Sequence, residues 1–111
     1  MITLRRILLC ALCVLAAATA YAQVQTGSIV GLVTDSSNAV LPGATVSLSG
    51  ERLIGGIQTQ VTDATGAYRF DRLPPGGYDV KFELQGFRAV ERADIRISAS
   101  FVATVNAKLE V

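Results

Sequence analysis

The sequence predicts an all-β protein of about seven short strands, an antiparallel sandwich or a small barrel, behind a short leader. Three observations carry that expectation. Beyond residue 22 the apolar residues recur with period two, which suits half-buried strands. Turn signals built from Gly, Pro, Asp and Asn separate these runs at roughly 8–12-residue spacing. No segment of the same region carries an apolar stripe at helical spacing.

The first 22 residues differ from the rest. Arg5 and Arg6 precede an unbroken apolar run from Ile7 to Ala18, and Ala20-Tyr21-Ala22 places small residues at −3 and −1 of a cleavage before Gln23. This three-part order is that of a secretory signal peptide. The apolar run is short against the roughly 20 residues that span a bilayer. Bulky Leu9 and Leu12 before Cys10 and Cys13 speak against lipid attachment at either cysteine. Residues 23–27 form a lead-in, and 28–111 the sandwich domain. The expected location is therefore exported, secretion included.

The strands follow in order. Ile29, Gly31 and Val33 alternate with Val30 and Leu32, so the first strand is apolar on both faces. Ser36-Ser37-Asn38 and Pro42-Gly43 turn the chain. Ala44, Val46 and Leu48 alternate with Thr45, Ser47 and Ser49, and a loop from Gly50 to Gly56 is tipped by Leu53 and Ile54. A third strand spans Ile57 to Thr62. Asp63-Ala64-Thr65-Gly66 reads as a turn in which Asp63 caps backbone amides and Gly66 takes positive φ. Tyr68 and Phe70 share a face in the next strand. Pro74-Pro75 bars a central strand through the following connection. Tyr78, Val80, Phe82 and Leu84 alternate with Asp79, Lys81 and Glu83, the clearest strand of all. Gly86-Phe87 breaks it. One strand begins over Phe87–Val90, a further one carries Ile95 and Ile97, and the last runs unbroken from Phe101 to Val111. The residues expected to shape turns and close approaches are Gly31, Asp35, Pro42, Gly43, Asp63, Gly66, Pro74, Pro75, Gly76, Gly77 and Gly86. The expected core is Val46, Tyr68, Phe70, Tyr78, Val80, Phe82, Ile95, Val105 and Leu109. No internal repeat stands out.

Composition narrows the chemistry. The 111 residues include no His and no Trp, and both cysteines lie in the leader. Without the leader, 89 residues remain, with 8 basic and 9 acidic side chains. That excludes imidazole and thiol chemistry and disulfides from the domain. The eight cations are scattered among acids, with no stripe for a phosphate backbone, so nucleic acid is not an expected partner.

Five segments in order resemble one family. Gly27-Ser28-Ile29-Val30-Gly31-Leu32-Val33-Thr34-Asp35 looks like the opening strand of carboxypeptidase regulatory-like domains, and Ala39 to Val46 like their turn and second strand. Thr62-Asp63-Ala64-Thr65-Gly66-Ala67-Tyr68-Arg69-Phe70 looks like the central signature. Leu73-Pro74-Pro75-Gly76-Gly77-Tyr78-Asp79-Val80 and Gly86-Phe87 resemble the segments after it. The resemblance implies a seven-stranded antiparallel Greek-key sandwich of the transthyretin-like (prealbumin) type, accessory and non-catalytic, in the periplasm or at the outer membrane. In bacteria such domains often precede the plug and barrel of outer-membrane TonB-dependent receptors, so the chain reads as a receptor's opening piece or as a free-standing exported module. A regulatory domain of a secreted carboxypeptidase is a further reading. So is a carbohydrate-binding module, since starch-binding-like domains share the fold.

Candidate chemistry is thin. Asp63 and Asp71 flank one strand and could form an acid/base pair, but each has a structural reason to be where it is. Asp35, Asp63 and Asp71 offer hard oxygen ligands for calcium without the spacing of a 12-residue calcium loop. Ser47 and Ser49 lack an activating base. Gly55-Gly56 and Gly76-Gly77 lack the sequence of a phosphate-binding loop. Asn106 is placed as the acceptor of an isopeptide bond of the kind related pilin domains form, but the first strand has no lysine to donate. Catalytic, metal and cofactor sites are therefore expected to be none. The remaining feature is apolar: Val30, Leu32 and Val102, with Leu53 and Ile54, form a candidate interaction surface. The expected partner is a protein or a receptor body, with a polysaccharide as the second class, and the domain itself carries no membrane span.

Overall fold

The computed structural model describes residues 2–20 and 25–111. Ile2–Ala20 is a helix, α1, and no helix among the described residues is long and apolar enough to cross a membrane. The expected cleavage residues Tyr21, Ala22 and Gln23 lie outside the described residues.

The remainder is two four-stranded sheets packed face to face. Strand β1 (Gly27–Asp35) is the centre of the first. Its alternation buries Gly27, Ile29, Gly31 and Val33 and leaves Val30 half-buried and Leu32 exposed. It pairs antiparallel with β4 (Ala67–Leu73) on one side. On the other it pairs in parallel with β7 (Val102–Thr104) and then β8 (Ala107–Leu109). The second sheet is antiparallel throughout, in the order β3 (Gln58–Val61), β2 (Thr45–Gly50), β5 (Gly76–Glu83), β6 (Val90–Ile97). The expected sandwich is present, with two parallel pairings, β1 with β7 and β1 with β8, that period-two alternation does not reveal.

The inward faces meet in a solid core. Tyr68, Phe70 and Leu73 from β4 and Ile29 and Val33 from β1 pack against Val46 and Leu48 from β2 and Tyr78, Val80 and Phe82 from β5. Each large side chain so buried contributes about 1.5–3 kcal/mol. The Tyr68 ring joins the sheets edge-on, 5.9 Å from Phe70 and 5.5 Å from Phe82 between ring centres, the arrangement aromatic quadrupoles favour. Ile95 and Val105, expected in the core, are half-buried at its margin.

Several expected elements are placed differently. The strand expected to begin over Phe87–Val90 starts only at Val90, since Phe87 lies in the turn after β5, and it runs on through Ile95 and Ile97 as one strand, β6, which kinks at Asp94. That residue takes φ of 57°, and its N–H donates to Asp79 Oδ1 at 2.9 Å, where the β5 register slips between Tyr78 and Val80. The expected final strand is broken between β7 and β8. At the break the Val105 N–H donates to the Val30 carbonyl at 2.8 Å, and Asn106 Oδ1 accepts the Leu32 N–H at 2.9 Å. A side chain thus replaces a ladder acceptor and keeps the Leu32 N–H paired. The break turns the Val105 carbonyl inward, where the Tyr68 hydroxyl donates to it. A Cβ on Gly31 would collide with that same carbonyl. Gly31 is therefore no turn residue: it sits mid-strand because a backbone crosses over it. Gly76 and Gly77, also expected in a turn, lie within β5, where they pair with Ile97 and Arg96 of β6, while Pro74 and Pro75 connect β4 to β5 as expected. Pro42, Gly43 and Gly86 lie in turns.

Candidate interaction surface

The outward face of the first sheet carries the apolar residues singled out in the sequence. The register places Val30 between Arg69 of β4 and Thr104 of β7, Leu32 beside Ala67, and Val102 beside Ser28. Leu32 is 44% exposed and Val102 52%. Val30, Leu32, Ala67, Arg69, Thr104 and Asn106 line one wall of a shallow groove of about 700 Å³, and Gln60, Val61 and Asp63 line the other. Apolar and polar side chains therefore interleave.

The polar groups around this face are mostly engaged. Ser28 Oγ donates to Asp71 Oδ1 at 3.0 Å, and Arg69 Nε donates to the same oxygen at 2.7 Å. The Ser28 hydroxyl, with Arg69 beside it, holds the Asp71 carboxyl below its usual range. Asp63 Oδ1 accepts from the Thr65 hydroxyl at 2.6 Å and from the Thr65 and Ala67 N–H groups at 2.9 and 3.1 Å. Those bonds, the Thr65 hydroxyl foremost, lower its pKa. Asp63 caps its turn as expected. Asp71 lies within β4, tied to the start of β1, and the two carboxylates serve separate tasks. Among the described residues no three His, Cys, Asp or Glu side chains gather at a metal-binding distance. Burial pushes the Tyr68 hydroxyl well above the usual tyrosine value, and its proton is committed to the Val105 carbonyl. Tyr78 is also buried and donates to the Pro74 carbonyl. Ser47 is half-buried in the second sheet, and Asn106 is occupied by Leu32.

The five apolar candidates do not form one patch. Val30, Leu32 and Val102 share the first sheet. Leu53 packs half-buried against the core, and Ile54 stands 95% exposed. Their loop leaves β2 at Gly50, opposite Tyr78, and Arg52 of the loop lies over Gly76. That is the end of the sandwich where Gly27 faces Leu73, away from Leu32. The feature missed in the sequence is Asn106 as a strand-bridging acceptor. An Asn interrupting an alternating run was its only visible signal.

Residues 28–110 match the family model described as the carboxypeptidase regulatory-like domain. The chain belongs to this family. The regulatory-like domain is also 34% identical over 85 residues to the TonB-dependent transporter Oar of Myxococcus xanthus, covering 77% of this chain and 8% of the transporter. The chain thus spans a small part of that relative's length. Two solved structures are similar to it. The TIE protein of Bacillus anthracis superposes with a TM-score of 0.64 at 24% identity, covering 78% of this chain and 16% of that one. A putative carbohydrate binding protein from Bacteroides uniformis superposes with a TM-score of 0.58 at 25% identity, covering 75% and 40%. The expected sandwich class and family both hold for the regulatory-like domain.

Proposed function

We propose that this chain is an exported, non-enzymatic accessory module that works by protein contact beside an outer-membrane TonB-dependent receptor, with residues 1–22 as a cleaved leader. The observation that carries the reading is the 34% identity to a TonB-dependent transporter over a stretch that is 77% of this chain. The mechanism is rigid presentation: a solid core holds the groove of Leu32, Val30 and Val61 and the exposed loop of Ile54 in fixed positions. Rigid placement lowers the entropy lost on docking. The match to the carboxypeptidase regulatory-like family over residues 28–110 supports a role without catalysis.

The test is expression of the whole chain in a Gram-negative host, with fractionation, N-terminal sequencing and cross-linking to envelope proteins. A mature protein beginning at Gln23, outside the inner membrane and cross-linked to a receptor of this class, is expected. Cytoplasmic retention with Met1 intact would overturn the export step. An exported protein that cross-links to no receptor would overturn the partner.

A carbohydrate-binding role is the second reading, favoured by the likeness to the Bacteroides uniformis protein. Tyr68 and Tyr78 both lie in the core, leaving no tyrosine platform for a sugar ring. Calorimetry against a polysaccharide panel separates the two readings, since saturable heat belongs only to the second.

A further inference from the structure

Sheet edges with unpaired backbone groups are templates for another strand, and proteins guard them with charges, bulges and breaks. Three edges of this sandwich are guarded in those ways. β6 carries Glu91, Arg92, Asp94 and Arg96 and kinks at Asp94. β4 carries Arg69, Asp71 and Arg72, with Arg72 at φ of 57°. The β7–β8 edge is broken at Val105-Asn106. β3 has no such guard. It reads Gln58-Thr59-Gln60-Val61, without a charge, and all four residues are exposed. Ile57 beside it is 68% exposed and Val61 59%.

The direction of its backbone groups can be worked out. The Thr62 N–H donates to the Ala44 carbonyl at 2.9 Å, and the Thr62 carbonyl accepts the Gly43 N–H at 3.0 Å. Both Thr62 groups therefore face the β2 side. Backbone groups alternate sides along a strand, so Gln60 and Gln58 also face β2. Thr59 and Val61 then point their N–H and C=O groups away from β2, at the open edge, and β3 has no second strand partner among the described residues.

We propose that this edge is a self-association site, where β3 pairs antiparallel with β3 of a second copy of this chain. A two-fold axis normal to the sheet keeps each face on its own side, so only residues that share a face can stand opposite one another. With the axis at Gln60, Gln60 faces Gln60 of the second copy and Thr59 faces Val61 of the second copy. Thr59 and Val61 are the residues with outward groups, so this register forms four interchain N–H···O bonds. Gln60 falls at a non-hydrogen-bonded position, where Cα atoms approach to about 4.5 Å and side chains are closest. Two neutral amides meet there and can bond to each other. The occupant is a second copy because the strand is self-complementary in register and charge: its four residues are neutral, so no like charges face each other. Four residues a side bury less than the roughly 1,200 Å² of a stable complex, so the dimer is weak and concentration-dependent. The edge shares Gln60 and Val61 with the groove assigned above to the receptor, but the dimer does not depend on that reading and survives its failure.

Sedimentation equilibrium of the purified chain up to about 1 mM tests it. A monomer–dimer equilibrium is expected. Gln60→Lys sets two ammonium groups face to face and should weaken the dimer about fivefold or more. Gln60→Glu should do the same, and an equimolar mixture of the two should restore dimer as a mixed pair. Val61→Pro removes an outward donor without touching β2 and should also weaken the dimer, with circular dichroism confirming the fold of each variant. A wild-type monomer throughout the range overturns the proposal. So does a dimer indifferent to Gln60→Lys and Val61→Pro, or a mixture that fails to restore pairing.

Discussion

Asp35–Ala39 and Asp63–Ala67 close with the same set of hydrogen bonds. In each, the Asp Oδ1 accepts from the hydroxyl and N–H of the residue two along, Ser37 or Thr65, and from the Ala N–H four along. In each, the Asp N–H donates to the Ala carbonyl, and a left-handed residue, Asn38 at φ 66° or Gly66 at φ 74°, sits before the Ala. The likeness is written in the chain: Val33-Thr34-Asp35-Ser36-Ser37-Asn38-Ala39 and Val61-Thr62-Asp63-Ala64-Thr65-Gly66-Ala67. This is an internal repeat that strand-by-strand reading passes over. The two turns differ in their surroundings. Asn38 is exposed. Gly66 is buried, its carbonyl accepts the Val33 N–H at 2.8 Å, and a Cβ there would meet the Val33 carbonyl at 2.8 Å and Val40 at 3.0 Å. One motif therefore serves once as a free surface turn and once as a wedge between strands. Local sequence sets the shape of a turn, and packing sets how replaceable it is.

The largest expected effect comes from filling the wedge. Gly66→Ala combines a left-handed backbone with a clash and should lower stability by about 3 kcal/mol, read as a fall in the urea midpoint. Next is the threonine before each turn. Thr62 is buried, accepts the Ala44 N–H and donates to the Leu41 carbonyl at 2.6 Å. Thr62→Val should cost about 2 kcal/mol by leaving both partners unpaired. Thr34→Val, at a half-buried position, should cost clearly less by the same measurement.

The carboxylates come third. The hydroxyls of Ser37 and Thr65 hold Asp35 and Asp63 below their ordinary value of 3.8. A lowered folded pKa means that the bonds stabilise the fold above the unfolded value and are lost as pH falls through the folded one. The urea midpoint should therefore fall on acidification from about pH 5 to pH 2, and Asp35→Asn and Asp63→Asn should each flatten that fall. A slope unchanged by both variants would count against the shared cap. The smallest effect belongs to the free turn. Asn38→Gly keeps the left-handed geometry and should shift stability by no more than about 0.5 kcal/mol in either direction.

Much of the sandwich is legible without coordinates. Val46 and Leu48, Tyr68 and Phe70, and Tyr78, Val80 and Phe82 all point inward as their alternation requires, because period two is itself the geometry of a strand. Asp63 and Gly66 announce their turn by residue type. The candidate interaction surface was only half legible. Val30, Leu32 and Val102 come together because β7 pairs beside β1, but Leu53 turns into the core and Ile54 is left alone at the other end.

The chain by itself determined which residues face in, where turns fall and which chemistry is excluded, since these depend on side-chain type and local backbone preference. Tertiary structure decided which strands are neighbours. It set the parallel pairing of β1 with β7 and β8, the carbonyl of Val105 over Gly31, the use of Asn106 as a ladder acceptor and the bare edge of β3. Alternation specifies the face of a strand but says nothing of the strand beside it. Neighbours are chosen by long-range packing, where the whole chain must bury its apolar faces and satisfy its backbone at once.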